Sequence, residues 1–207
     1  MRKRYKLFLI IFISFILVLF IYFFLKEEKF IYVSLGDKLS FNNFSTYNYT
    51  EYLKYYYQDS NITIYEYIDE YNITGELSKQ INENTANINY YLKNASLITL
   101  SLGTIELYNY KELNEEVIIN YLNNLYMLLN KLSRLNNNIY LINVYEDNLQ
   151  LINKKISDYC REFNINYIDL SIINYNNVYQ NELKTYLSYR GHKNIADRIV
   201  KNEDNSK

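Results

Sequence analysis

The 207-residue chain has no proline, no tryptophan, one cysteine, one histidine and four glycines. Each shortage removes a class of chemistry. The lone cysteine, Cys160, cannot close an intramolecular disulfide or build a thiolate metal cluster. It falls on the apolar phase of a helical pattern and reads as a buried, inert thiol. The lone histidine, His192, leaves no multi-histidine metal motif, and it is the one side chain whose ordinary pKa lies near neutrality. Four glycines form no glycine-rich phosphate loop, so each of them becomes a candidate for a backbone position that requires it. No cofactor and no metal is expected. With a net charge of −1 and a pI of about 5.9, long-range attraction to nucleic acid or anionic lipid is not the expected mode of binding.

What is present in excess is tyrosine, 26 residues of it, with many asparagines, isoleucines and lysines. These residues share A/T-rich codons, and the bias reads as that of an A/T-rich bacterial genome rather than as a tyrosine-specific function. One long apolar run also stands out. Residues 7–25 (LFLIIFISFILVLFIYFFL) carry no charge and are long enough to cross the hydrocarbon core as a helix. Arg2, Lys3, Arg4 and Lys6 precede the run, and Lys26, Glu27, Glu28 and Lys29 follow it. The heavier positive charge on the N-terminal side places that end in the cytoplasm. A cleaved signal peptide would have a shorter apolar core and a small-residue cleavage site, and neither is seen. A core helix would not be apolar on every face. The expected organisation is a basic cytoplasmic stretch (1–6), a single-pass signal anchor (7–25) and one extracytoplasmic domain (26–207) at the cell membrane.

In that domain β-prone runs alternate with helical patterns. Residues 30–35, 97–102, 139–144 and 165–170 are short and almost continuously apolar, with 62–67 a weaker candidate. Such runs suit strands buried on both faces of a parallel sheet. Leu113, Val117, Tyr121, Leu125, Leu128, Leu132 and Leu135 recur at helical spacing, as do Leu149, Ile152, Ile156, Cys160 and Phe163. Ile195, Ile199 and Val200 mark a last helix, followed by a polar tail expected to fray after Lys201. The expected fold class is α/β, a three-layer α/β/α sandwich with a parallel, flavodoxin-like sheet, preceded by one transmembrane helix.

Sites in open α/β sheets form beyond the carboxyl ends of the strands. Two of those ends carry glycine: Ser34-Leu35-Gly36-Asp37-Lys38-Leu39-Ser40 and Ser101-Leu102-Gly103-Thr104-Ile105-Glu106-Leu107. Near the C-terminus runs Leu187-Ser188-Tyr189-Arg190-Gly191-His192-Lys193-Asn194-Ile195-Ala196-Asp197. In this order and spacing the three blocks resemble those of the SGNH (GDSL-type) hydrolases, a family of esterases and lipases. The resemblance implies that fold, and it implies where catalytic groups would stand. The family's nucleophilic serine falls on Lys38, its oxyanion-hole asparagine on Ile105, its histidine on Tyr186 and its aspartate on Leu183. A further glycine, a backbone oxyanion donor, falls on Gly75. The resemblance therefore implies a scaffold without its catalytic side chains.

Other residues near these blocks are candidates for replacement roles. Ser34 and Ser40 read as strand, turn or helix-start residues. Lys38 would act as a nucleophile only if burial lowered its pKa strongly, and otherwise reads as a solvated lysine or one paired with Asp37 or Glu106. Asp37 and Glu106 form a carboxylate pair suited to a cation or a sugar. His192 has a structural place at a helix start. The possible residual site is thus Asp37, Ser40, Gly103, Glu106 and His192. The reading is an envelope-associated pseudoenzyme that binds a glycan, a lipid or a protein partner, with the membrane as its anchor. The alternative is an active acyl-ester hydrolase or acyltransferase, acting on lipid or cell-wall glycan through a relocated nucleophile.

Overall fold

The computed structural model describes residues 30–36, 48–57, 61–64, 73–103, 107, 115–142, 150–170 and 188–206, together with Tyr5, Phe8, residues 12–18 and Phe20. Strands β1 (Ile31–Gly36), β2 (Asn61–Ile64), β3 (Leu97–Ser101), β4 (Ile139–Ile142) and β5 (Asn166–Ile168) alternate with helices. These are α1 (Tyr49–Tyr56), α2 (Ile73–Glu83), α3 (Ile88–Asn94), α4 (Glu115–Leu135), α5 (Gln150–Glu162) and α6 (Tyr189–Ser206). The five strands form one parallel sheet in the order β2-β1-β3-β4-β5. The chain winds outward from β1 in one direction to β2 and in the other through β3, β4 and β5. The point of reversal, between β1 and β3, is where such sheets open a crevice.

Strand pleating sorts the side chains into two cores. Val33, Leu35, Ile98, Leu100, Ile139 and Leu141 face α2, α3, α4 and α5, where they meet Leu77, Leu92, Leu125, Leu128, Leu132, Ile156 and Cys160. Tyr32, Leu97, Tyr140, Ile142 and Ile168 face α1 and α6, where they meet Tyr49, Leu53, Ile195 and Ile199. The result is the expected three-layer sandwich. α4 is held by Tyr121, Leu125, Leu128, Leu129 and Leu132, five buried side chains at three- and four-residue spacing. Full burial of each such leucine stabilises the fold by roughly 1.5–3 kcal/mol. Cys160 is buried, and desolvation pushes its thiol up to about 12, which removes the reactive thiolate.

Three differences from the sequence reading have physical causes. Helices α1, α2 and α3 lie where no individual helix was assigned: α1 and α3 have few apolar positions among tyrosine and asparagine, whereas α2 carries Ile73, Leu77 and Ile81 at four-residue spacing in a short, otherwise polar segment. β2 is Asn61–Ile64 rather than 62–67, and residues 65–67 lie outside the described residues. The polar tail does not fray, since α6 continues to Ser206. Glu203 accepts hydrogen bonds from Tyr140 Oη at 2.7 Å and Asn138 Nδ2 at 3.1 Å, and Asp204 accepts one from Tyr56 Oη at 3.2 Å. These bonds clamp the end of α6 to the start of β4 and to α1.

Residues 12–18 are helical and exposed. Among the described residues no helix is long and apolar enough to cross a membrane, and apart from Phe8, residues 12–18 and Phe20 the 7–25 run lies outside them. Glu203→Ala should lower the free energy of unfolding by about 1–2 kcal/mol, since the buried part of Tyr140 loses a charged acceptor. A urea midpoint unchanged from the parent would show that the clamp does not hold the tail.

Candidate functional site

β1 and β3 end side by side at the point of reversal, with Gly36 in register with Ser101. Gly36 has φ 153° and Gly103 has φ 96°. Both lie where a β-carbon would clash, so glycine lets each chain swing off its strand at the sheet edge. The turn after β3 is pinned twice. Leu107 N–H donates to Gly103 O at 2.9 Å, and Tyr121 Oη donates to Leu102 O at 3.2 Å. The two glycine blocks are therefore brought together at one edge of the sheet. Gly75 sits in the first turn of α2, half-buried, beside buried Thr74. Asp37, Lys38, Ser40, Ile105, Glu106, Leu183 and Tyr186 lie outside the described residues.

Beneath the edge the sheet is polar. Tyr32, Ser34, Thr99 and Ser101 project on the α1/α6 side, and all are buried. Ser34 and Thr99 are register partners on adjacent strands. Thr99 Oγ1 donates to Ser34 Oγ at 3.2 Å and shares a hydrogen bond with Tyr32 Oη at 2.8 Å. Tyr49 Oη reaches Ser34 Oγ at 3.4 Å and Thr99 Oγ1 at 3.5 Å, which closes the cluster from above. Burial, then the Tyr49 phenol, holds the Tyr32 phenol well above its ordinary value, with the bonds to Thr99 and Ser34 opposing. These hydroxyls are neutral and mutually satisfied, as buried hydroxyls must be.

His192 stands behind this cluster. Its backbone N–H donates to Ser188 O at 3.0 Å, and Ser188 Oγ accepts from Gly191 N–H at 3.2 Å, so Ser188 caps α6. The imidazole is fully buried, with ring centroids 6.3 Å from Tyr49. Its Nδ1 accepts the Tyr49 backbone N–H at 3.3 Å, one of the donors left open at the start of α1. Asn48 Oδ1 accepts a second, from Glu51 N–H at 2.9 Å. With Nδ1 an acceptor, the neutral ring carries its proton on Nε2, which has no hydrogen-bond partner among the described residues. Desolvation lowers the pKa to about 4.

This geometry limits the chemistry. Ser34 Oγ is engaged by Thr99 and Tyr49, and the His192 imidazole is engaged at Nδ1 by the Tyr49 backbone, so the serine and the histidine are held by different partners. No group of three or more histidine, cysteine or carboxylate side chains is placed to hold a metal among them. A separate open groove of about 440 Å³ runs between α1 and α6, lined by Tyr52, Tyr55, Tyr56, Ala196 and Val200 among others. Of the sequence-level candidates, the fold brings Gly103 to the edge and His192 behind it. Tyr49 and Thr99 were missed. Thr99 is one apolar-run residue among many, but Asn48-x-x-Glu51 is a capping signature that locates α1, and with it Tyr49.

No family model matches the chain, and no curated protein matches it by sequence. Solved structures do match. A lipase from a goat rumen metagenome superposes with a TM-score of 0.61 at 18% identity, over 83% of this chain and 96% of that one. An acetylxylan esterase from Geobacillus stearothermophilus superposes with a TM-score of 0.60 at 14% identity, over 83% and 92%. The chain shares its fold with these two proteins. At such identities the likeness extends to the fold alone.

Two predictions follow from the buried cluster. Thr99→Val leaves the Tyr32, Ser34 and Tyr49 hydroxyls short of a partner and should cost about 1–3 kcal/mol, whereas Tyr49→Phe removes two long bonds and should cost less than about 1 kcal/mol. Equal urea midpoints for the two variants would remove Thr99 from the centre of the network. For His192, an unfolded histidine titrates near 6.5 and the folded one near 4. Between those values the unfolded chain binds a proton that the folded chain refuses. The stability His192 contributes is therefore complete above about pH 6.5, falls as pH falls, and is down by roughly 3 kcal/mol near pH 4. His192→Asn keeps an acceptor for Tyr49 N–H but cannot titrate, so its urea midpoints should fall less steeply between pH 6.5 and 4.

Proposed function

We propose that this chain is a membrane-anchored, extracytoplasmic SGNH-like domain that has lost ester hydrolysis and binds an acylated envelope component, lipid or glycan, at the old site. One observation carries the reading. The strand edge that the GDSL-like block occupies keeps its glycines, while the position after Gly36-Asp37 is a lysine, Lys38. The hydrolase fold supports the scaffold half of the reading, since the two structural neighbours are named as a lipase and an acetylxylan esterase. The chemical half comes from the residues. Lys38, Ile105, Leu183 and Tyr186 stand where the resemblance puts serine, asparagine, aspartate and histidine. Loss of one oxyanion donor costs about 10²–10³ in turnover, and loss of nucleophile or base costs on the order of 10⁶ in a comparable triad. His192 offers no substitute base, because its Nδ1 is already an acceptor for Tyr49.

The anchor is residues 7–25, and the basic flank at Arg2, Lys3, Arg4 and Lys6 orients it with the domain outside the cytoplasm. Purified protein should show neither labelling by a fluorophosphonate probe nor turnover of short p-nitrophenyl esters above background. Stoichiometric labelling, with turnover abolished by Ser40→Ala, would establish instead an active hydrolase with a relocated nucleophile.

A further inference from the structure

In this topology all helices after a strand run back toward the sheet's amino end, so that end collects the helix C-termini. Phe30, the residue before β1, stacks on Tyr57 at the end of α1 with ring centroids 4.1 Å apart. The end of α6 meets Asn138 and Tyr140 at the start of β4. Phe30 is also where the chain arrives from the apolar run, because residues 26–29 alone separate it from Leu25. Even fully extended, that stretch lets Phe30 stand at most about 17 Å from Leu25.

Gly36, at the opposite end of β1, lies about 20 Å from Phe30 along the strand. Were the carboxyl ends of the strands turned to the bilayer, Phe30 would have to stand farther from it than the tether reaches. The amino end carries what an interface needs. Tyr55 and Tyr56 close α1 with 77% and 51% of their surface exposed, and Tyr90, one turn before the end of α3 in the other helix layer, is 64% exposed. Tyrosine places an apolar ring at the edge of the hydrocarbon and its hydroxyl among the headgroups. Net charge does not do this here. Of the last-turn bases Lys54, Lys93, Arg134 and Arg161, Lys54 and Arg161 are paired with Glu51 and Asp158.

We infer that the amino end of the sheet, through Tyr55, Tyr56 and Tyr90, rests on the surface of the bilayer that holds the chain, with the β1–β3 edge facing away from it. This rests on reading residues 7–25 as a membrane span. It also narrows the ligand of the proposed site. An edge directed outward is reached by a solute or by a polymer such as a glycan, and not by the acyl chains of the anchoring bilayer.

The chain has no tryptophan, so a single introduced one reports its own surroundings. Full-length Tyr56→Trp, Tyr90→Trp and Tyr189→Trp variants are reconstituted in phosphatidylcholine vesicles with and without bromine on the upper acyl chain. Tyr55→Trp serves as a second probe at the same end. Tyr189 begins α6 at the carboxyl end of the sheet and is 53% exposed. Quenching at positions 55, 56 and 90 should exceed that at 189 by at least about twofold, because interfacial side chains sit within bromine's reach. Protein that floats with the vesicles but is quenched most at 189, or equally everywhere, overturns the orientation and leaves the anchor standing. Protein that does not float with the vesicles overturns the span, and the orientation with it.

Discussion

The hydrogen bond from Tyr49 N–H to His192 Nδ1 is the constraint on which this architecture turns. It joins the first turn of α1 to the first turn of α6, helices separated by most of the domain's sequence, and it does so over the polar stretch of β1 and β3. Once the bond is made, Tyr49 is placed with its hydroxyl above Ser34 and Thr99, and the hydroxyls beneath the strand edge are enclosed. Because the imidazole is buried, the bond is made by the neutral ring. The same burial that makes it strong leaves Nε2 without a partner among the described residues. A buried donor without a partner costs about 1–3 kcal/mol, so this corner combines a gain and a penalty rather than a simple stabilisation.

That arrangement separates scaffold from chemistry. Glycines at the ends of β1 and β3, a pinned turn after β3 and a satisfied hydroxyl layer are what a site needs from its supports. They would serve a reacting group or a bound ligand equally well. Likeness in fold to a lipase and an acetylxylan esterase speaks to these supports and is silent on the groups above them. The reacting groups have to be argued from individual side chains, and there the identity of Lys38 weighs more than any superposition. An ammonium cannot replace a serine hydroxyl as nucleophile unless it is deprotonated, and that takes strong desolvation.

The parts of the fold legible in the sequence were those with strong period. Continuous apolar runs revealed β1, β3 and β4, and apolar residues at helical spacing revealed α4 and α5. The glycines that end β1 and β3 were legible because there are so few of them. α1 was not legible from periodicity, since its buried face is Tyr49, Thr50 and Leu53 and tyrosine is spread through the whole chain. The end of α6 misled for a different reason. Its charges look like a solvated tail, but Glu203 and Asp204 are engaged by tyrosines from elements far away in sequence. His192 was assigned to a helix start from its motif alone. Its tautomer and its link to Tyr49 depend on a contact that no local pattern contains.

Tether length adds a constraint that neither the fold nor the motif supplies alone. A flexible linker of many residues would leave a domain free to present any face to its membrane, and the candidate edge would meet lipid and solute alike. On the proposed reading of residues 7–25 as a membrane span, residues 26–29 are the whole connection, and the geometry of β1 becomes the geometry of access. On that reading the strand leads from the membrane side at Phe30 to the glycine turn at Gly36, and the chain's first strand sets both the height of the edge and its direction. An enzyme acting on the lipids beside it would need the opposite arrangement, with the carboxyl ends of its strands near the headgroups. If residues 7–25 hold the chain in a bilayer as proposed, the short tether and the parallel sheet together favour a ligand that comes from outside it, whether or not that ligand is ever turned over.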